Sequence, residues 1–307
     1  MNEAPAQRRR VNPGEMLHGY RVRKALGDGA FSRVYLVEDP DTHTAYALKH
    51  VIAENDKEDR WVDQIRAEWE IGRKLDHPAI RKLVDCRFEG WFLKKSRDVG
   101  LIMELIDAES LADLQRPPIT ECLTIFHDVA SALVHMHERG FIHADMKPLN
   151  ILYTDDRRTK VIDLGQAVKI DTRKERIQGT PGYIAPEQAK RELLSAQTDV
   201  FNFAATMYSI LLGVQPSGQQ LLAPQAAANS ASPTSGVPPE RIGPSGALHL
   251  VDPTIPEALS ILLLDCLDPL PHKRKRMPWV LKVLTQLIAE RKSAGASAPG
   301  MIRATPR

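Results

Sequence analysis

Apolar residues along the chain first recur at a spacing of two. Tyr20-Arg21-Val22, Val34-Tyr35-Leu36-Val37 and Ala45-Tyr46-Ala47-Leu48-Lys49 alternate as half-buried strands do, and the first two enclose Gly27 and Gly29. A hairpin there would let the backbone approach a ligand closely. The period then changes. Trp61, Ile65, Glu68, Gly72 and Leu75 recur every four or three residues, with Trp69 alongside, which predicts a helix from about Arg60 to Leu75, stopped before Pro78. Strand-like runs follow over Leu83 to Phe92 and Val99 to Ile106. A long amphipathic helix is predicted from Thr120, as N-cap, to Arg139, with Gly140 as its stop. Ile151 to Tyr153 and Lys160 to Ile162 enclose a polar turn and predict a second hairpin. An apolar helix opens at Asp199 and runs to about Leu212.

Other stretches carry no periodic face. Residues 1–19 are polar and turn-rich, 166–178 have little pattern, and 291–307 read as a disordered tail. The stretch 215–256 is rich in Pro, Ala, Ser and Gly and predicts a long flexible insertion.

Composition narrows the function classes. A chain of 307 residues favours one large domain or two lobes sharing a cleft. The formal charge of +2 makes no case for nucleic acid or a membrane surface as partner. Cys86, Cys122 and Cys266 stand far apart in no metal-ligand spacing, which fits buried thiols in a reducing compartment. The basic N-terminus has no apolar run behind it, and Phe201 to Val214 falls short of the roughly 20 residues a membrane span needs. A soluble cytoplasmic protein is expected.

The candidate chemistry concentrates in two places. Glu68 is the only carboxylate on the inward face of its predicted helix, so it calls for a cation, and Lys49 is the natural one. A surface Glu pairing with Arg73 or Lys74 is the competing reading. The second place is His143-Ala144-Asp145-Met146-Lys147-Pro148-Leu149-Asn150, followed after the hairpin by Asp163-Leu164-Gly165. Folding back at 154–158 would set the Asn150 amide oxygen beside the Asp163 carboxylate, a hard oxygen pair suited to Mg²⁺. Asp145 could accept a proton from an attacking hydroxyl, and Lys147 adds a positive charge next to it. His135, His137 and His143 lack the spacing of one helical face, and no neighbouring carboxylate or Cys completes a zinc set. The glycines at 27 and 29 run into a strand rather than a helix, which favours a flap over phosphates above a dinucleotide turn.

At these residues the chain resembles the eukaryotic-type Ser/Thr protein kinases, whose motifs are H-R-D-x-K-x-x-N and D-F-G. The resemblance implies an α+β, bilobal fold: an N-terminal antiparallel β-sheet lobe with one helix over 20–105, and a larger, mainly helical lobe over 106–290. It implies ATP as phosphoryl donor with Mg²⁺, or Mn²⁺ in its place, held by Asn150 and Asp163. Lys49, paired with Glu68, would hold the α- and β-phosphates, with Asp145 and Lys147 at the transferred group. Leu26, Val34, Ala47 and Leu152 would surround adenine, with Met103 as gatekeeper and backbone groups of Glu104 and Ile106 bonding the base. Gly27, Gly29 and Ser32 form the glycine-rich loop, Ser32 standing where the family's third glycine usually is, and Phe31 would cap its tip. Gly179 to Glu187 resembles the end of an activation loop, in which Thr180 would contact Asp145 and Lys147. Glu187 would pair with Arg276, Arg274 being the alternative.

Two departures stand out. Leu164 replaces the Phe of D-F-G and leaves Asp163 in place. Ala144 replaces the Arg to which a phosphorylated activation loop normally binds, so activity is expected not to depend on that switch, although Thr172 and Thr180 remain candidate autophosphorylation sites. The implied partners are protein substrates, with 215–256 a candidate docking segment and neither nucleic acid nor membrane. A small-molecule phosphotransferase of the aminoglycoside-kinase type and a pseudokinase scaffold are the alternatives.

Overall fold

The computed structural model describes residues 10–29, 31–89, 97–213 and 247–296. The chain forms two compact units: Met1–Ala108 with Ile162–Ala167, and Glu109–Val161 with Val168–Arg307.

The first unit is built on a six-stranded sheet. Its strands are β1 (Met16–Leu17), β2 (Tyr20–Asp28), β3 (Arg33–Glu38), β4 (Ala45–Ile52), β5 (Leu83–Glu89) and β6 (Asp98–Glu104), in the order β1-β2-β3-β4-β6-β5 with antiparallel neighbours. Alternation along β4 sends Ala47 and Val51 to one face and Leu48 and His50 to the other. Helix α1 (Asp59–Gly72) packs Val62 and Ile65 against the first face, with Leu83, Val99, Leu101 and Met103. The second face gathers Leu17, Tyr20, Val22, Tyr35, Val37, Leu48 and Ile102. The flexible segment expected over 1–19 therefore gives way to structure within it: Leu17 is buried there, and Gly14 N–H donates to Val22 O at 2.8 Å. Helix α1 also ends three residues before the expected Leu75, with Arg73 as C-cap.

The second unit is mainly helical, with α2 (Ile119–Glu138), α3 (Pro186–Ala189), α4 (Ala196–Leu212), α5 (Leu248–Val251), α6 (Glu257–Cys266) and α7 (Met277–Ala296). The N-cap of α2 is Pro118, not Thr120, because the Pro118 carbonyl already accepts from the N–H groups of Glu121 and Cys122. Gly140, at φ 78°, turns the chain out of α2 as expected. Helix α4 is buried along almost its whole length, so its sequence shows no polar face. It starts at Ser195, whose side chain accepts from Gln197 N–H while its own N–H donates to Thr198 Oγ1.

Short strands pin the loops of this unit: β7 (Glu109–Ser110), β8 (Phe141–Ile142), β9 (Ile151–Tyr153), β10 (Thr159–Val161), β11 (Val168–Lys169), β12 (Thr172–Arg173) and β13 (Leu193–Leu194). β9 and β10 form the hairpin the sequence predicts, with Leu152 opposite Lys160. Within the tail expected over 291–307, α7 continues to Ala296 and Arg291 Nη2 donates to Thr254 O at 2.6 Å, while 297–307 lie outside the described residues. Within the insertion expected over 215–256, residues 247–256 include helix α5 with Leu248 buried, and 215–246 lie outside the described residues. All three cysteines are free thiols. Among the described residues no helix is long and apolar enough to cross a membrane.

Candidate active site

The residues expected to carry the chemistry fall into a group in each unit. In the first, Lys49 lies on the α1 side of β4. Glu68 meets it from the buried stripe of α1, beside Val62, Ile65, Ile71 and Gly72. Lys49 Nζ is 2.8 Å from Glu68 Oε2 and 3.1 Å from Asp163 Oδ1. Arg73, the competing partner, pairs instead with Glu70 on the exposed side. Two glycines permit the approach. A Cβ on Gly72 would lie 2.2 Å from Leu83 Cδ1 and 3.2 Å from Leu164 Cδ1, and one on Gly165 would lie 2.8 Å from Gln64 Nε2. Leu164 is buried, so it fills the apolar place of the Phe it replaces.

Electrostatics bind this trio together. Burial alone would lower the Lys49 pKa, but Glu68 and Asp163 outweigh it and hold the ammonium protonated beyond the usual lysine range. Burial pushes the Glu68 carboxyl up, against the pull of Lys49. Arg81, which the sequence reading missed, lies near this charge: burial lowers its pKa against the opposing effect of Glu104, Glu68 and Asp163, and its Nε has no hydrogen-bond partner among the described residues.

The expected nucleotide-binding residues of this unit fall on neighbouring strands. Gly27 pairs with Val34 across β2 and β3, and Ala47 pairs with Met103 across β4 and β6. Ala47 and Met103 are buried, Val34 packs against them, and Leu26 is 44% exposed. Gly29 N–H donates to Ser32 O at 2.7 Å, closing the loop between β2 and β3. The ring of Phe31, the residue expected to cap the loop tip, stacks on Trp61 of α1, centroids 3.8 Å apart. Glu104 N–H, expected to face the base, donates instead to Lys82 O at 2.9 Å. Ile106 follows half-buried just beyond β6.

In the second unit, Lys147 Nζ is 2.9 Å from Asp145 Oδ2 and 2.8 Å from Thr180 Oγ1, and the Thr180 hydroxyl donates to Asp145 Oδ1 at 3.0 Å. Asn150 Nδ2 donates to Asp145 O at 2.8 Å, which orients its amide. Leu152 is buried on β9.

The loop owes its shape to a buried carboxylate 55 residues further on. Asp199, at the start of α4, accepts from Ala144 N–H at 2.8 Å, His143 N–H at 2.9 Å and His137 Nε2 at 2.8 Å. Burial would raise its pKa, but His137, His143 and the Ala144 N–H hold it below the usual carboxylate range. Gln188 adds a bond to Ala144 O at 2.8 Å. Ala144 is thereby held at φ 60°, a left-handed conformation that costs a non-glycine residue about 1 kcal/mol and persists only where its surroundings enforce it. Asp199 is also the carboxylate that chain spacing could not place beside His137.

Beneath this loop, Arg274 and not Arg276 pairs with Glu187. Its Nη1 and Nη2 lie 2.7 and 2.8 Å from the two carboxylate oxygens, and both side chains are buried. Arg274 also donates to Asp268 O and Gln197 O and lies over the Phe201 ring, whereas Arg276 is exposed.

The model of the protein kinase domain matches residues 20–283. The chain belongs to the protein kinase domain family. Its homologues are Ser/Thr protein kinases. The serine/threonine-protein kinase PknB of Mycobacterium leprae is 29% identical over 219 residues, which cover 67% of this chain and 34% of that protein. PknB of Mycolicibacterium smegmatis is 30% identical over 217 residues, and the serine/threonine-protein kinase PLK4 of Xenopus tropicalis is 28% identical over 211 residues, 22% of its length. This kinase chain thus spans about a third of the PknB relatives. The crystal structure of the Mycobacterium tuberculosis PknI kinase domain superposes with a TM-score of 0.65 at 24% identity, covering 90% of this chain and 99% of that one, a likeness of fold. Kinases of this family generally use ATP and Mg²⁺.

Proposed function

We propose that this kinase transfers the γ-phosphoryl group of ATP to Ser or Thr hydroxyls of protein substrates. The observation that carries the proposal is the triangle of Asp145, Lys147 and Thr180, in which a carboxylate and an ammonium are held together by an activation-segment hydroxyl. Asp145 would take the proton of the attacking hydroxyl as its oxygen bonds to phosphorus and the bond to the ADP oxygen breaks. Lys147 would offset charge growing on the transferred group. Lys49, anchored by Glu68, would hold the α- and β-phosphates, and Leu26, Val34, Ala47, Met103 and Leu152 would take the adenine.

The residues present fit Mg²⁺. Asn150 and Asp163 offer hard oxygens, the first on an amide oriented by Asp145 O, the second on a side chain 42% exposed. These two would hold the ion, which would neutralise phosphate charge when bound.

Ala144 supports a further part of the reading, that activity does not wait for phosphate on the activation loop. Side chains of the fold itself, Asp199 and Gln188, clamp the loop backbone at His143 and Ala144. Phosphatase-treated and untreated enzyme should then turn over alike, and a loss of several orders of magnitude traced to Thr172 or Thr180 would refute it. A cytoplasmic location belongs to the same proposal, supported by three free thiols. So does partner docking on 215–256.

The deciding experiment is incubation with radiolabelled ATP, Mg²⁺ and a generic basic protein. Label should appear on Ser or Thr, Asp163→Ala should abolish it, and Asp145→Asn should lower the rate about 100-fold or more while nucleotide binding persists. Unchanged transfer by Asp145→Asn would overturn the assignment.

A further inference from the structure

The face of the first unit's sheet turned away from α1 carries a cluster that phosphoryl transfer does not use. His18, in the turn between β1 and β2, has a fully buried side chain; His50 on β4 is 6% exposed, and Asp98 opens β6. His18 Nε2 lies 2.9 Å and His50 Nε2 2.8 Å from the same oxygen, Asp98 Oδ1. One ligand atom from each of the three falls within 4.8 Å of the others, and the rings meet edge to face at 5.4 Å. The sheet makes room for this. Gly100 faces His50 in register, and any Cβ on it would lie 2.5 Å from His18 Cδ2. Arg87 fixes the turn by donating to His18 O at 2.8 Å.

We propose that His18, His50 and Asp98 form a binding site for a divalent transition ion of the zinc type, with Glu89 orienting His18 from behind. Two imidazoles and one carboxylate make an N₂O set of the kind that zinc takes, with a fourth position for water, and Asp98, 30% exposed, leaves an opening. The decisive detail is His18 Nδ1, which is buried without a hydrogen bond among the described residues and has Glu89 Oε1 at 3.5 Å. In a neutral ring that donates from Nε2 to Asp98, Nδ1 is an acceptor facing a carboxylate. With Nε2 on a metal, the proton moves to Nδ1 and points at Glu89, the arrangement metal-bound histidines usually have. Metal–ligand bonds of about 2.0–2.2 Å would need the donors to part by roughly half an ångström, which the Asp98 side chain can supply. A bound ion would tie the β1–β2 turn to β4 and β6.

The test uses the untagged full chain, freed of metal by chelator and dialysis, and titrated calorimetrically with ZnCl₂. The Asp163→Ala background removes the oxygen ligand proposed for Mg²⁺. One equivalent of Zn²⁺ should bind, Tm should rise with its concentration, and Co²⁺ should give the visible absorption of a four-coordinate site. Asp98→Asn and His50→Gln should weaken binding about 100-fold or more, and Glu89→Gln, acting through His18, by about tenfold. Asp98→Asn keeps the shape of the side chain and decides the matter if His50→Gln fails to fold. Absence of zinc binding, which an imidazolium held between Asp98 and Glu89 would produce, overturns the proposal, and so does unchanged affinity in Asp98→Asn. Neither result bears on phosphoryl transfer.

Discussion

Replacing Arg274 by alanine is the sharpest perturbation of the second unit. Its guanidinium is fully buried, bonded at two points to Glu187, and donates to the carbonyls of Asp268 and Gln197. Truncation leaves the Glu187 carboxylate, 2% exposed, without its counter-ion and strips two partly buried carbonyls of a donor. Breaking such a pair from one side costs about 3–5 kcal/mol, a large share of the total stability of a domain. At roughly 2–4 °C per kcal/mol for a protein of this size, Tm should fall by about 6–20 °C. Thermal melts followed by circular dichroism would measure it. Arg276→Ala is the control, since an exposed side chain should change stability by no more than about 0.5 kcal/mol. The double variant Arg274→Met with Glu187→Leu should recover much of the loss, because it leaves no orphaned charge. A fall of less than about 2 °C for Arg274→Ala, or an equal fall for Arg276→Ala, would refute the reasoning.

Three further outcomes are expected. Lys49→Met should cut kcat/KM by about 100-fold or more, with Glu68→Gln in the same direction, measured as labelled phosphate on a basic protein; the fold should survive, since Lys49 retains some exposure. Ala144→Gly should leave stability unchanged or raise it by up to about 1 kcal/mol in urea titrations, because φ 60° suits glycine, whereas Ala144→Val should destabilise. Burial pulls the Lys174 ammonium down to about 8, against the opposing charges of Asp145 and Asp199. Between pH 8 and the unfolded value of 10.5 the unfolded chain binds the extra proton, so stability should gain with rising pH there, and Lys174→Met should lose that gain when urea midpoints are compared at pH 8 and 10.

Much of the site was legible because its logic is local. Glu68 stood alone as an acid on an apolar helical face, and the demand of a buried carboxylate for a cation led to Lys49. The β9–β10 hairpin followed from two apolar runs around a polar turn. Where several residues of one kind compete, local rules fail. His272 to Arg276 offers two arginines of equal propensity, and only the packing of α4 against that turn puts Arg274 inside and leaves Arg276 in water. The N-cap of α2 moved for a similar reason: Pro118 supplies a carbonyl in place, which outranks a capping hydroxyl two residues later.

The sequence by itself determined the elements and the chemical identity of their residues, because the periods of two and 3.6 and the side-chain functional groups are written in order along the chain. Only the tertiary structure decided which distant groups share a space. Asp199 reaches His143 and Ala144 across 56 and 55 positions, and His18 and His50 converge on Asp98 across 80 and 48. Hydrogen bonds act over about 3 Å, and separation along the chain carries no information about that distance until the sheet and the helices have packed.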